Sequence, residues 1–523
     1  MNRQSCWWKA AVLLVFLSSS HAARILGVIP MPAKSHNIMF QSLMEELAAR
    51  KHQVTVISYF PQETRRPNYT DIVLDNERLK GFGRRDFSVN DVFSFARLIM
   101  LWMMGIKFTA FTLEEPQVQE LIQSKDQQFD LVITEAFFNE ALFGFAHVFK
   151  APLIVLCPFG GTHWMDFMVG NPSPFSYVPD LFLSYSDHMT FIERLHNTVL
   201  GVYALLGRAL FYIPQQNAIM RKYFNRLESL PNLWELQYKT ALFLANSHVS
   251  VSYPRPLVPN FIQVGGMHIK SPKKLPQDLQ NYLDDAPDGV IYFSMGSAFH
   301  SVKFPEIKRR ALLDTFSKLK QKVLWKWEDD NLPDQPPNLK ISKWFPQADI
   351  LAHPNIKLFI THGGLLSTLE TIYHGVPIVG IPIFGDQHMN MVRAETAGYG
   401  ILVEYGNLTS ESLYWAVTEV LQQTRYRDNA RRLSKIYRDQ PESPMERAIY
   451  WVEYIHRHRG APHLRSAALD LAWYQYFLLD VMAVILAVVI SVVLFMYVLI
   501  KTVIRMLRSI SATKARYPKQ KIN

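Results

Sequence analysis

Residues 481–500 contain no charged side chain, and no other feature constrains this chain as tightly. Twenty helical residues at about 1.5 Å each reach roughly 30 Å, the thickness of a bilayer core. Asp480 and Lys501 bracket the run, and Trp473, Tyr474 and Tyr476 stand where an interfacial aromatic belt belongs. The tail that follows, 501–523, carries seven Lys and Arg and no acid. The positive-inside rule assigns such a tail to the cytosol and everything before the run to the other side. The reading is a single-pass, type I membrane protein with a luminal body.

The N-terminus agrees with that reading. Arg3 and Lys9 lead into an apolar stretch, 10–17, and then into Ser18-Ser19-Ser20-His21-Ala22-Ala23. Eight apolar residues are too few to span a bilayer, and the small residues after them suit cleavage, so 1–23 reads as a signal peptide. Of the net charge of +10, nine units sit before residue 10 or after residue 500. The basic balance therefore reports membrane flanks and points to no nucleic-acid partner. Hydrophobic residues make up 49 % and charged residues 19 %, which excludes a disordered chain. The last five residues, Lys519-Gln520-Lys521-Ile522-Asn523, resemble a dilysine retrieval signal and place the protein in the endoplasmic-reticulum membrane. The only cysteines are Cys6 and Cys157, so removal of the signal leaves no intramolecular disulfide and a large packed core must hold the body. Asn68 and Asn407 open two glycosylation sequons.

Within the body, strands and helices alternate. Apolar runs at 24–30, 53–59, 130–134 and 152–157 read as strands, with helices at 37–51, carrying Met39, Leu43 and Leu47 on one face, and at 139–150. The pattern restarts with strands at 289–293, 322–327, 355–360 and 377–381 and a helix at 305–320. Such alternation predicts α/β architecture: two Rossmann-like, doubly wound domains facing a cleft. The expected division is 24–252, a proline-rich linker at 253–288, and 289–475. Two further apolar segments, 98–111 and 199–213, suit an apolar pocket, a membrane surface or ordinary core.

The chemistry is written between 344 and 387. Thr361-His362-Gly363-Gly364 ends a strand and opens a helix, where free N–H groups and the positive helix end bind a diphosphate. His362 and Ser367 add donors there. Glu370, farther along that helix, can accept from both hydroxyls of a ribose. Trp344 offers a stacking face and Gln347 an amide for a base edge. Asp386 and Gln387 follow the next strand, in reach of sugar hydroxyls.

In this order the set resembles the signature of the membrane-anchored animal UDP-glycosyltransferases, the family that includes the UDP-glucuronosyltransferases, and is most like its insect members. Phe293-Ser294-Met295-Gly296-Ser297 is similar to the family's phosphate loop, and Tyr253-Pro254-Arg255-Pro256 with Val264-Gly265-Gly266 to its linker. The resemblance implies a GT-B fold, with UDP-sugar bound by the second half and acceptor by the first. It assigns the uracil to Trp344 and Gln347 and the ribose to Glu370. The diphosphate falls to Ser297, His362, Ser367 and the backbones of Gly363, Gly364 and Leu366, and the donor sugar to Asp386 and Gln387. Arg255 is a further candidate sugar contact. Leu366 departs from the family's common Asn, which costs a side-chain contact only.

The resemblance also makes His36, after the first strand, the base that takes the acceptor proton. The family's supporting Asp is replaced by Glu135, one methylene longer, and Glu140 is a second candidate for that place. The implied reaction is a single inverting displacement, with UDP-sugar as co-substrate, no other cofactor and no metal. UDP-glucose is the favoured donor and UDP-glucuronate the alternative. The implied acceptor is a small lipophilic hydroxyl compound, and both a monomer and a homo-oligomer fit the sequence. A catalytically silent lipophile-binding membrane protein would need neither His36 nor Asp386-Gln387, and their presence argues for an enzyme.

Overall fold

The computed structural model describes residues 22–79, 94–226, 229–297 and 299–516. The signal segment before residue 22 and the tail lysines Lys519 and Lys521 lie outside the described residues.

The body, up to Arg465, carries two all-parallel sheets. The first contains β1 (Arg24–Val28), β2 (Gln53–Ser58), β3 (Tyr69–Val73), β4 (Leu131–Glu135), β5 (Leu153–Cys157), β6 (Thr240–Ala245) and β7 (Phe261–Gln263), in the order β3-β2-β1-β4-β5-β6-β7. The second contains β8 (Val290–Ser294), β9 (Lys322–Lys326), β10 (Leu339–Ser342), β11 (Ile356–Thr361), β12 (Ile378–Gly380) and β13 (Gly400–Leu402), in the order β10-β9-β8-β11-β12-β13. Central parallel strands are covered on both faces, so they read as unbroken apolar runs, and every residue of β4, β5 and β8 is buried. All eight strands expected from the sequence are present. The five unexpected ones are β3, β6, β7, β10 and β13. Four of these are sheet edges, short or half-exposed, where solvent removes the apolar signature; Tyr69–Val73 has no buried residue.

Both sheets reverse their strand order beside a central strand, between β1 and β4 and between β8 and β11. Ligands of open α/β sheets bind outside the carboxyl ends of strands at such switch points. His36 follows β1 there, and Ser297 and His362 follow β8 and β11.

The expected helix at 139–150 breaks into a 3-10 turn, Glu140–Phe143, and a short α-helix, Gly144–Val148. Glu140 is drawn into a buried ion pair with Arg208, which fixes that turn. Within 253–288, Phe261–Gln263 is the last strand of the first sheet, and Gln277–Asp284 is a helix whose Leu279 and Leu283 lie in the core of the second half. The helix Pro444–Arg457 returns to the first half, where Ala448, Ile449, Val452 and Ile455 join Leu43, Leu47 and Val54 in one core. A cavity of about 1370 Å³ opens at the opposite, amino-terminal edge of the first sheet. Its basic lining follows from three helices that end beside it with Arg50, Lys150 and Arg457, cations that complement helix carboxyl ends.

The remainder, from Ser466, is a separate unit. It contains the 38-residue helix Leu479–Arg516, of which Leu479–Ala512 is long and apolar enough to cross a membrane. The helix runs past the 481–500 core at both ends, and Trp473–Tyr476 forms a short helix just before it.

Candidate active site

β1 delivers the chain to the first switch point, and the helix Lys34–Ala49 starts there. His36 sits in its first turn rather than in the preceding loop, because Ala33 begins the helix without a side-chain cap and Ser35 is already helical. β4 ends on Glu135 beside it. His36 Nδ1 hydrogen-bonds Glu135 Oε1, the histidine side chain being 12 % exposed and the glutamate 2 %. Glu135 Oε2 is buried without a hydrogen-bond partner in the described residues. The imidazole is held edge-on by Phe137 and Phe159, at ring distances of 5.1 and 5.6 Å. Glu140 stands elsewhere: its carboxylate accepts from Arg208 Nη1 at 2.6 Å and from the Tyr212 hydroxyl. Of the two acids considered for His36, only Glu135 is in contact with it.

In the second half, β8 runs into Gly296 and Ser297, and β11 into His362, Gly363 and Gly364. The His362 ring lies between the two loops. A Cβ on Gly296 would meet His362 Cε1 at 2.5 Å, and one on Gly364 would meet Nε2 at 2.5 Å. Gly296 also has φ +76°, a region side chains avoid. Burial, helped by the nearby Lys326, pushes His362 down to about 4, so it is a neutral donor near pH 7. Gly364 begins the helix Leu365–His374, whose first turn presents the backbones of Leu365, Leu366 and Ser367 toward this loop.

Gln347 and Glu370, expected at the base and the ribose, form one network with Ser367, expected at the diphosphate. Gln347 Nε2 donates to Ser367 Oγ at 3.0 Å and to Glu370 Oε2 at 2.6 Å. Burial pushes Glu370 up to about 7, against the Gln347 hydrogen bond that favours its charged form. Trp344 is 54 % exposed, and Lys34 of the first half lies over its ring at 4.0 Å.

Asp386 lies across the cleft from His36, within its electrostatic reach. Burial raises the Asp386 carboxyl, opposed by a hydrogen bond from Asn390 and by His36. Asn390 also donates to the Gly363 carbonyl, tying the sugar-side acid to the phosphate loop. Gln387 Oε1 accepts from the backbone of Ile383 and Phe384, which braces the turn before it. Arg255 pairs with the buried Asp166, although both Arg255 and Asp386 line one cavity of about 40 Å³. Asn68 and Asn407 are exposed.

Sequence reasoning missed several residues that the fold brings here. Lys326 ends β9 and donates to the Gly296 carbonyl at 3.0 Å; a lysine closing an apolar strand was the available signal. His268, buried, stands 3.8 Å from Glu370 Oε1. Arg393 lies over Tyr253 beside Asp386. No local pattern announces the last two.

Comparison with known proteins bears on this arrangement. The family described as UDP-glucoronosyl and UDP-glucosyl transferase matches residues 23–516. UDP-glycosyltransferase UGT5 of Dactylopius coccus is 39 % identical over 95 % of each chain. UDP-glucosyltransferase 2 of the same insect is 38 % identical over 91 % of this chain and 92 % of that one. Among solved structures, a UDP-glucosyltransferase from Polygonum tinctorium that glucosylates indoxyl superposes with a TM-score of 0.56 at 16 % identity, over 84 % of this chain and 99 % of that one. The two parallel sheets are those of a GT-B glycosyltransferase, and the chain belongs to the UDP-glycosyltransferase family.

Proposed function

We propose that this chain transfers a hexose, favoured as glucose, from a UDP-sugar to the hydroxyl of a small lipophilic acceptor, with inversion at the anomeric carbon. The observation that carries the reading is the His36–Glu135 pair facing Asp386 across the cleft. A carboxylate on Nδ1 selects the tautomer with the proton there and leaves Nε2 to accept. The acceptor hydroxyl gives its proton to Nε2 while its oxygen bonds the anomeric carbon. The bond from that carbon to UDP breaks, and the electron pair leaves on the diphosphate. The first-turn backbone N–H groups of Leu365–His374 and the neutral His362 receive that charge.

Apolar side chains near the base suit a lipophilic acceptor: Pro30, Met31, Leu101, Met104, Phe108 and Phe137 surround a void of only about 10 Å³, and Phe137 also touches the His36 ring. Glucose is favoured by the naming of the insect relative. UDP-glucuronate is the second reading, because Arg255 and Arg393 both line the Asp386 cavity and the Nε of each lacks a partner in the described residues. The scheme uses the UDP-sugar as co-substrate and no further cofactor. The proposed setting is the endoplasmic-reticulum membrane with the body in the lumen, supported by the apolar helix Leu479–Ala512 and the basic residues Lys501, Arg505 and Arg508 toward its end.

The test is conjugate formation in microsomes that express the chain. A phenol is supplied with UDP-glucose or UDP-glucuronate, the product is identified by mass, and His36→Ala is the control. A glucoside absent in the variant supports the reading. A glucuronide replaces the donor, and activity surviving in His36→Ala removes the base.

A further inference from the structure

His268 stands where the chain crosses from one half to the other. Met267 before it joins the core of the first half, and Ile269 after it packs on the core of the second. The turn that carries it is pinned. Gly266 N donates to Asn246 Oδ1 at 3.2 Å, Ile269 N to the Gly266 carbonyl at 2.9 Å, and the Tyr437 hydroxyl to the Gly265 carbonyl at 2.6 Å. The imidazole is thereby fixed against the helix Leu365–His374, beside the Leu366 backbone and with Nε2 3.8 Å from Glu370 Oε1.

Both ring nitrogens are buried, and neither has a hydrogen-bond partner among the described residues. Buried polar atoms are ordinarily paired, so an orphaned ring against a ligand site calls for a cause. Burial holds this imidazole at about 4, so near pH 7 it is neutral, with one N–H and one lone pair. The gap to Glu370 exceeds an N–H···O bond by roughly 0.8 Å, which a small turn of either side chain closes. Gln347 Nε2 holds the other carboxylate oxygen, Oε2, at 2.6 Å. Glu370 thus has one oxygen paired and the other facing an unpaired ring.

We infer that His268 is a positioning residue for the donor: its Nε2–H closes on Glu370 Oε1 when the carboxylate turns to the ribose, and favours the charged form that accepts from both ribose hydroxyls. The inference rests on the assignment of the ribose to Glu370. It gives a cause for a buried donor left unpaired, because the hydrogen bond is completed only with the UDP-sugar in place. A carboxyl raised to about 7 by burial is also the group that one more N–H changes most near neutral pH.

Calorimetric titration of the full chain with UDP between pH 6 and 8 tests it. His268→Leu keeps bulk and loses the N–H, whereas His268→Gln keeps an amide N–H at the reach of Nε2. His268→Leu is expected to weaken UDP binding about tenfold at pH 7 and to move the midpoint of its pH dependence up by about one unit. His268→Gln should restore the affinity to within about threefold. His268→Asn, polar but too short to reach Oε1, should behave as His268→Leu does and serves where leucine unsettles the fold. Adding His268→Leu to Glu370→Gln should cost no further affinity. Asp349 and Tyr292, which also act on Glu370, are the same in every variant, so a displaced midpoint is not theirs. A lowered melting temperature with an unmoved midpoint in His268→Leu and His268→Asn makes the residue structural and overturns the inference, as do additive losses in the double variant. If Glu370→Gln alone binds UDP as the wild type does, the ribose assignment fails first and the inference falls with it.

Discussion

Lys34 lies over Trp344, its ammonium 4.0 Å from the ring centroid, so a cation of the first half covers the indole face that a uracil would use. An exposed cation–π contact is worth about 0.5–1 kcal/mol, and stacking of a base about 1–3 kcal/mol. The base wins, but it must first displace the lysine. Lys34→Ala is therefore expected to lower KM for the UDP-sugar about two- to fivefold with kcat little changed. Initial-rate kinetics with varied donor check it, and a raised KM would mean that Lys34 binds the donor instead.

Glu135 and Glu140 separate by role, and two isosteric variants read the difference. Glu135→Gln offers His36 Nδ1 an amide in place of a carboxylate and loses the charge that stabilises the imidazolium. A fall in kcat of about 10²–10⁴ is expected, with acceptor KM nearly unchanged. Glu140→Gln leaves the catalytic pair intact but strands Arg208, 2 % exposed, without its counter-charge. Breaking such a buried pair costs about 3–5 kcal/mol, so that variant should lose thermal stability first and activity only in proportion. Melting curves and kcat measured on the same preparations distinguish the two.

Much of this was legible in the chain, and the rest was hidden for physical reasons. The central strands announced themselves because burial on both faces demands continuous apolar residues, as in Leu153–Cys157. Edge strands such as Leu339–Ser342 carry no such demand. The glycine–histidine loop was readable because close backbone approach and a helix start are local properties. The choice between Glu135 and Glu140 was not local. It is made by Arg208, 68 residues beyond Glu140, which captures one acid and leaves the other to His36. Arg255 followed the same logic, since its partner Asp166 lies 89 residues away in sequence. That Gln387 Oε1 also satisfies two backbone N–H groups of the turn before it was not readable from its position.

Glu370 supplies a pH dependence. Burial raises it to about 7, so without donor near pH 7 about half the molecules carry it protonated. Only the carboxylate accepts from both ribose hydroxyls, so donor binding below that pH must expel a proton. KM for the UDP-sugar is expected to rise as pH falls from 8 to 6, approaching tenfold per unit below 7. The stability sign is opposite: a raised carboxyl favours the folded state below its unfolded value, near 4.5, and that contribution is lost as pH rises through about 7. In Glu370→Gln the slope in KM should vanish. The groups facing Glu370 include Gln347, His268, Asp349 and Tyr292. His268 is held near 4 by burial and stays neutral across the range, so a slope that survives in Glu370→Gln would not come from His268.

Gly296 tests whether the His362 ring needs the space between its two glycines. At φ +76° an alanine carries strain of about 1–3 kcal/mol. Its Cβ would also stand 2.5 Å from His362 Cε1, and His362 cannot retreat, because Gly364 closes on the other side of the ring. The loop or the imidazole must move, and both belong to the proposed diphosphate site. Gly296→Ala is thus expected to raise KM for the UDP-sugar about tenfold, the equivalent of about 1.4 kcal/mol, while KM for the acceptor stays near wild type. Calorimetric titration with UDP alone isolates the effect, since UDP reports the diphosphate site without sugar or acceptor. Wild-type affinity for UDP in that variant would show that the loop at Gly296 does not meet the phosphates, and the charge on the leaving group would then rest on the helix Leu365–His374 alone.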